Sequence, residues 1–569
     1  MRKQLKSTLS ANTQSKRWRI AFITSMAIIS ICWIMLYNAH HAAPPPLGTH
    51  AGDGWWGWFD QDQYLKITEQ FAVGDYFNPN KYYPPLYPAI PALISNIVST
   101  TGAYLAVDLM LCLVFFGGLF LNFRTYLNPL ISLVSVILMY GVTSITYEQW
   151  VIPWTTNLSS TLLILISLLL GTEFKKNHHY PTWSNWRTSA AFFLTGLMVW
   201  VRPFEIIPAS ILCLGLLITQ VTQVLSNNQP GTSSQTALRL SKIVIVPFIT
   251  LSGTISVYAL YNLKTFGSWE PSYSKTINNM GFSPWDLGFK FISLATDSNT
   301  YGISNGHLSH YLPLFIPLTL LGIISLIFLA FPQQILVISA IINFTSYLSF
   351  NDLVPTGLFT FNNIHYFTWS LAVIGISAVA TLKIVIETSI KKPKFRRMQL
   401  PALAGCWALA MIVIIHLEPS TNAITISTSK PKIICPSKQT EASNIRTKAA
   451  QYQLNSRQIT SKKSNITRLL EINIETKSNP TQVHLAHQDQ ISLILNDKEL
   501  TYRKNWRLVN REEDQNNKLS ILLHEPIRAN DLSGMLTIGQ QSNIELSNID
   551  FDESNCNNNK KILQNKSKY

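Results

Sequence analysis

From Ile20 to Leu417 the chain alternates long apolar runs with short polar breaks. Runs of about 20 apolar residues are the length that crosses a bilayer as helix. Such runs fall at about 20–37, 103–123, 129–147, 151–173, 188–201, 203–224, 243–262, 311–331, 333–350, 366–388 and 399–417, about eleven spans in all. The run at 188–201 is short, and Pro203 could instead kink one longer hairpin. Beyond Leu417 the pattern changes to a polar stretch rich in Asn, Ser, Lys and Gln. Within it Ile491–Leu495, Leu519–Leu523 and Met535–Ile538 read as short strands, and Ser554–Tyr569 is expected to be disordered. The expected fold class is an all-α polytopic membrane protein with a small C-terminal β-rich extracytoplasmic domain.

Composition agrees with that division. The 569 residues are 47% hydrophobic and only 13% charged, against roughly 25% charged in soluble domains. The net charge of +15 does not imply a nucleic-acid partner, because many Lys and Arg sit in short loops between apolar runs, where they set topology. Lys16-Arg17-Trp18-Arg19 precedes the first span; Lys175, Lys176 and Arg187, then Arg239 and Lys242, then Lys391, Lys392, Lys394, Arg396 and Arg397 follow in alternate loops. With the N-terminus inside, all of these clusters fall inside. The predicted layout is a cytoplasmic N-terminus at 1–17, a membrane domain at 18–417 with outside loops 38–102, 263–310 and 351–365, and an outside tail at 418–569. His40-His41-Ala-Ala43 resembles a signal cleavage region, but the later spans favour an uncleaved anchor. Cys32, Cys112, Cys213 and Cys406 lie in apolar spans and read as packing residues. Cys435 and Cys556 lie in the tail, where an oxidising compartment would let them pair.

The first outside loop holds the densest chemistry, with Asp53, Asp60, Asp62, Glu69 and Asp75 beside Trp55, Trp56 and Trp58. Asp60 reads as a helix N-cap with Gln63 reaching back, and Tyr64, Ile67, Thr68 and Phe71 recur at helical spacing up to a stop at Gly74. This predicts a short amphipathic interfacial helix with the three tryptophans at headgroup level. Asp60 can be a cap, a general base at a cavity mouth, or both. Pro84, Pro85, Pro88 and Pro91 forbid a long helix at the loop exit, and Ala92–Ser99 reads as a re-entrant or interfacial piece. The loop from Asn262 to His310 carries Trp269, Trp285 and Phe289, a second interfacial candidate.

A charge at membrane depth costs roughly 2.5 kcal/mol or more, which makes Arg202 in VWVRPFEIIP a functional candidate. It could grip a phosphate, or form a structural pair with Glu205 three residues on. Lys81, His307, His310, Asp352 and His365 are further polar groups near spans on the outside face, and none has metal-ligand spacing.

The order of a basic-flanked span, an outside Asp-x-x-x-Tyr, Gly-Asp and Tyr-Pro-Pro-x-Tyr-Pro resembles the GT-C membrane glycosyltransferases, which include protein O-mannosyltransferases and the aminoarabinose transferase acting on lipid A. The matching residues are Asp60, Tyr64, Gly74-Asp75 and Tyr83-Pro84-Pro85-Leu86-Tyr87-Pro88. WWGWFDQ followed by QYL looks like an opening found in bacterial members. Arg202-Pro203 matches an Arg-Pro at the end of the fifth span, and Asn363-Ile-His365-Tyr366 stands where many members have Arg-Tyr. The resemblance covers 18–417 in outline and implies a GT-C-like fold in a bacterial inner membrane. It implies an inverting transfer of sugar from a polyprenyl-phosphate donor to a hydroxyl of a glycan, lipid or protein acceptor on the outer face. Under that resemblance Asp60 is the general base with Asp62 as alternate, and Arg202, Tyr64, Lys81, Tyr83, His365 and Tyr366 are substrate-binding candidates. No cofactor is named by the residues, and a divalent cation stays open. A flippase for lipid-linked sugars would share the spans and Arg202 without needing a base at Asp60. A polymerase or ligase would place its key residues in later outside loops.

Overall fold

The computed structural model describes residues 2–40, 54–140, 148–174, 185–226, 233–269, 281–284, 287–296, 315–350 and 363–391. In the tail it describes 423–427, 432–434, 449–455, 459–462, 466–473, 491–500, 506–509, 518–528 and 533–539. The span expected at 399–417, the basic clusters at 175–176 and 392–397, and Trp285, His307, His310, Asp352, Cys406, Cys435 and Cys556 lie outside the described residues.

The helices begin with α1 (Arg2–His40), followed by α2 (Phe59–Ala72) and α3 (Leu86–Ala92). Next come α4 (Thr100–Phe123), α5 (Pro129–Tyr140), α6 (Thr155–Phe174), α7 (Asn185–Val201) and α8 (Ile206–Ser226). Then follow α9 (Ser233–Phe266), α10 (Leu287–Thr296), α11 (Phe315–Ile324), α12 (Phe331–Leu348) and α13 (Thr368–Lys391). Five described segments are long and apolar enough to cross a membrane: Ser15–Ala39, Thr100–Phe123, Pro203–Leu225, Leu240–Phe266 and Ile364–Thr388. The expected hairpin break at Pro203 is resolved as an extended Arg202 followed by a 3₁₀ turn, Pro203–Glu205, which leads into α8. Proline at the first position of that turn has no N–H to lose there.

These helices differ in how much protein covers them. The apolar window of Ile364–Thr388 is 72% buried and that of Leu240–Phe266 only 22%, so α13 is central and α9 peripheral. The uncovered face of α9 carries Ile245, Phe248, Ile249, Val257 and Leu260, which suits lipid rather than water. Close approach of helices rests on glycine in places. A Cβ on Gly322 of α11 would sit 2.5 Å from Ile374 Cγ2 and 2.9 Å from the Ile374 carbonyl oxygen in α13. No side chain larger than hydrogen fits that contact without moving a helix.

The first loop folds onto this scaffold. The stop at Gly74 is a left-handed residue with φ of 84°, and α2 buries Gln61, Tyr64, Ile67, Thr68 and Phe71. The exit segment makes only a seven-residue helix, α3, and then leaves Leu93 and Ile97 exposed. One expectation is corrected here. Trp55 and Trp56 are buried in protein, Trp55 edge-on to Tyr37 of α1 and Trp56 against Tyr104 of α4, because the loop folds over these helix ends. Trp269, by contrast, is exposed.

A second compact unit holds residues 278–307, 348–359 and 414–569. Its α10 carries the buried Lys290, which donates to the carbonyls of Ser349 and Phe350, each at 3.1 Å. Its strands form two five-stranded sheets, in orders β4-β1-β5-β9-β8 and β2-β3-β10-β6-β7. Here β1 is Ala423–Ser427, β2 Lys432–Ile434, β3 Ala449–Asn455, β4 Ile459–Lys462 and β5 Ile466–Asn473. β6 is Ile491–Leu495, β7 Lys498–Leu500, β8 Trp506–Val509, β9 Lys518–Arg528 and β10 Ser533–Gly539. Asn496 and Asp497, both at positive φ, make the two-residue turn between β6 and β7. Leu470, Leu493, Ile521 and Leu523 are buried.

Candidate functional site

Asp60 does not cap α2. Trp58 takes the extended N-cap position without a side-chain bond, and Asp60 lies inside the first turn. The expected reach of Gln63 back to the cap is also absent, since its amide donates to Asp62 Oδ2 at 3.3 Å. The physical reason is that a cap must have non-helical backbone, and the helix begins two residues earlier than the Asp-x-x-Gln pattern implies. Within the first turn Asp60 still gains from the positive end of the helix dipole.

The Asp60 carboxylate instead accepts from the Tyr83 hydroxyl at 2.5 Å. Tyr83 comes from the proline-rich exit of the loop and packs on Tyr64, with ring centroids 4.8 Å apart. Asp60 is enclosed enough that burial pushes its carboxyl above the usual carboxylate range. The Tyr83 bond and the charge of Arg202 pull against that rise. Asp62, two residues on, points elsewhere and forms an exposed pair with Lys66 at 2.7 Å. The two carboxylates are therefore presented to different surroundings.

Arg202 is the second centre. Its guanidinium donates from Nε to the Tyr347 hydroxyl at 3.2 Å and from one terminal nitrogen to Thr155 Oγ1 at 2.8 Å. Glu205 Oε1 lies 3.9 Å from Nε, and the Tyr347 hydroxyl donates to that same oxygen at 2.9 Å. Arg202 also lies 4.5 Å from the centroid of the Tyr366 ring, a cation–π distance. Tyr366 stacks flat on Tyr347, 4.8 Å away with planes 8° apart. Apart from Arg202 and Glu205, these groups come from different segments, so the fold assembles the cluster.

His365 is buried and stacks on Trp154 with centroids 3.9 Å apart. Trp154 lies 6.3 Å from Trp58, the residue two before Asp60. Lys81 is buried as well, but its ammonium donates to the Asp75 carbonyl at 2.9 Å and sits 4.3 Å over Phe71. Burial lowers its pKa to about 8, opposed by Asp75. The structure thus joins Asp60, Tyr83 and Tyr64 in one group and Arg202, Tyr366 and Glu205 in another. The field of Arg202 reaches Asp60. Among the described residues, no group of three or more His, Cys, Asp or Glu side chains could hold a metal ion.

Sequence reasoning missed the segment from Gln149 to Asn157. The Gln61 amide of α2 donates to the Pro153 carbonyl at 2.9 Å, Trp154 stacks on His365, and Thr155 receives Arg202. Three consecutive residues thus tie the helix of Asp60 to Arg202 and to His365. It also missed Asp108, a buried carboxylate inside an apolar run. The rule that singled out Arg202 would have found it.

No family model matches the chain. No curated protein matches it either. Among solved structures the chain is similar to ArnT from Cupriavidus metallidurans bound to undecaprenyl phosphate, with 12% identity over 70% of each chain and a TM-score of 0.39.

Proposed function

We propose that the chain is an inverting GT-C-type glycosyltransferase of the bacterial inner membrane, using a polyprenyl-phosphate sugar donor and an acceptor hydroxyl at the outer face. In this reading the N-terminus is inside, about eleven spans cross the bilayer, and the β-rich tail lies outside. The observation that carries the proposal is the Asp60 carboxylate. It is held by Tyr83, has a raised pKa, and lies within the field of the buried Arg202.

The chemistry follows from those positions. The acceptor hydroxyl oxygen attacks the anomeric carbon as its proton passes to Asp60. The bond from that carbon to the donor phosphate breaks, and its electron pair leaves on the phosphate oxygen. Attack from the face opposite the phosphate inverts the centre. A carboxylate whose pKa is raised is a stronger base than an ordinary one. A fixed cation near the leaving group stabilises the charge that develops there, with no reorganisation at the moment of reaction. Arg202 is suited to this because Tyr347, Thr155 and Glu205 fix its orientation.

Undecaprenyl phosphate, titrated against the protein in nanodiscs, tests the role of Arg202. Arg202→Lys keeps the charge and loses the planar fork, so binding should weaken, and Arg202→Ala should weaken it further. Unchanged affinity in both variants leaves Arg202 with Glu205 as a structural pair and removes it from the reaction.

A further inference from the structure

The apolar helix α4 carries one carboxylate, Asp108, which is 1% exposed. It accepts twice from a single hydroxyl, that of Tyr87, at 2.8 and 3.0 Å, and Asn157 of α6 bonds to it as well. Tyr37 of α1 and Tyr104 of α4 are the other titratable groups in its field. A charge-bearing group inside a span is costly unless it is fully engaged. Asp108 is so engaged, and what it holds is the loop above it.

Tyr87 is four residues after Tyr83 on the proline-rich exit segment. The Tyr64 ring stands between the two, edge-on to Tyr87 at 5.4 Å and against Tyr83 at 4.8 Å. The same seam is bonded through Thr68, whose hydroxyl reaches the Pro88 carbonyl at 3.1 Å and the Tyr104 hydroxyl at 2.8 Å. With prolines fixing φ at 84, 85 and 88, the segment from Tyr83 to Tyr87 has little freedom to turn independently at its two ends. We propose that Asp108 is a positioning residue: by gripping Tyr87 from within the membrane it sets the exit segment so that the Tyr83 hydroxyl stays on the Asp60 carboxylate. Calling the result catalytic rests on the proposed role of Asp60; the geometric link does not.

The link predicts a titration. Tyr83 comes to Asp60 from the exit segment and Arg202 from the start of the 3₁₀ turn, while Asp62 and Lys66 on the same helix are paired with each other. A hydroxyl donated to a carboxylate favours its ionised form. Infrared titration of the purified full chain reads the protonated Asp60 carboxyl band directly, assigned as the band missing from Asp60→Asn. Tyr83→Phe should raise its midpoint by about one pH unit. Asp108→Asn and Tyr87→Phe should raise it in the same direction, and adding either to Tyr83→Phe should raise it no further. Loss of a through-space negative charge at Asp108 would move the midpoint the other way.

Wild-type midpoints in Asp108→Asn and Tyr87→Phe, or a downward shift, overturn the proposal, as does a Tyr83→Phe protein with no shift. If both Asp108→Asn and Tyr87→Phe are absent from the membrane, Asp108 serves folding and the proposal also fails. None of these outcomes depends on sugar transfer, so they are separable from a failure of the base assignment.

Discussion

Tyr347→Phe isolates one hydroxyl in the centre of the Arg202 cluster. Phenylalanine keeps the ring that stacks on Tyr366, so only the oxygen is lost. That oxygen accepts from Arg202 Nε at 3.2 Å and donates to Glu205 at 2.9 Å, and both partners are buried. A hydrogen bond to a charged group contributes about 1.5–3 kcal/mol, and losing it strands a buried partner. The two losses do not simply add, because Arg202 and Glu205 stand 3.9 Å apart and can close on each other. The expected destabilisation is about 2–3 kcal/mol. Thermal unfolding in detergent, followed by monodispersity, should fall by a few degrees, with Tyr76→Phe as an exposed control. Adding Glu205→Gln should cost less in the Tyr347→Phe background than in the parent. A Tyr347→Phe protein as stable as the parent, with fully additive double variants, would refute the view that this hydroxyl joins the buried pair.

Other expectations follow from single contacts. Gly322→Ala forces a Cβ into Ile374 and should cost about 1–3 kcal/mol, read as a lower melting temperature. Gly74→Ala has open space for its Cβ but a φ of 84°, so it should cost about 1 kcal/mol from backbone conformation alone. Lys66→Ala breaks an exposed pair worth about 0.3–0.5 kcal/mol and should leave stability and sugar transfer nearly unchanged. Because burial raises the Asp60 pKa, the base is lost by protonation as pH falls. The acid limb of the rate profile should therefore lie above the ordinary carboxylate value of 3.8.

The apolar runs made the helices legible, since any run long enough to cross a bilayer must satisfy its own backbone. The face of α2 was legible for the same reason, from the spacing of Tyr64, Ile67, Thr68 and Phe71. The helix start was misread because Trp58, which offers no capping group, occupies the cap. Trp55 and Trp56 read as interfacial because composition cannot tell a wet surface from a loop folded over helix ends. Arg202 stood out as an isolated charge. Its partners Tyr347 and Thr155 did not, because each is an ordinary residue in its own segment and only the tertiary fold brings them together. Asp108 was visible by the same rule as Arg202 and was passed over beside the acidic first loop.

The central claim is that Asp60 takes the proton when sugar leaves a polyprenyl-phosphate donor. Cells lacking the gene should accumulate the unused lipid-linked sugar, measurable by mass spectrometry of extracted membranes. Re-expression of the parent and of Asp62→Asn should clear that species. Asp60→Asn, present at normal abundance, should leave it accumulated, since loss of a general base costs roughly 10²–10⁴ in rate. Clearance by Asp60→Asn at the parental rate would contradict the account.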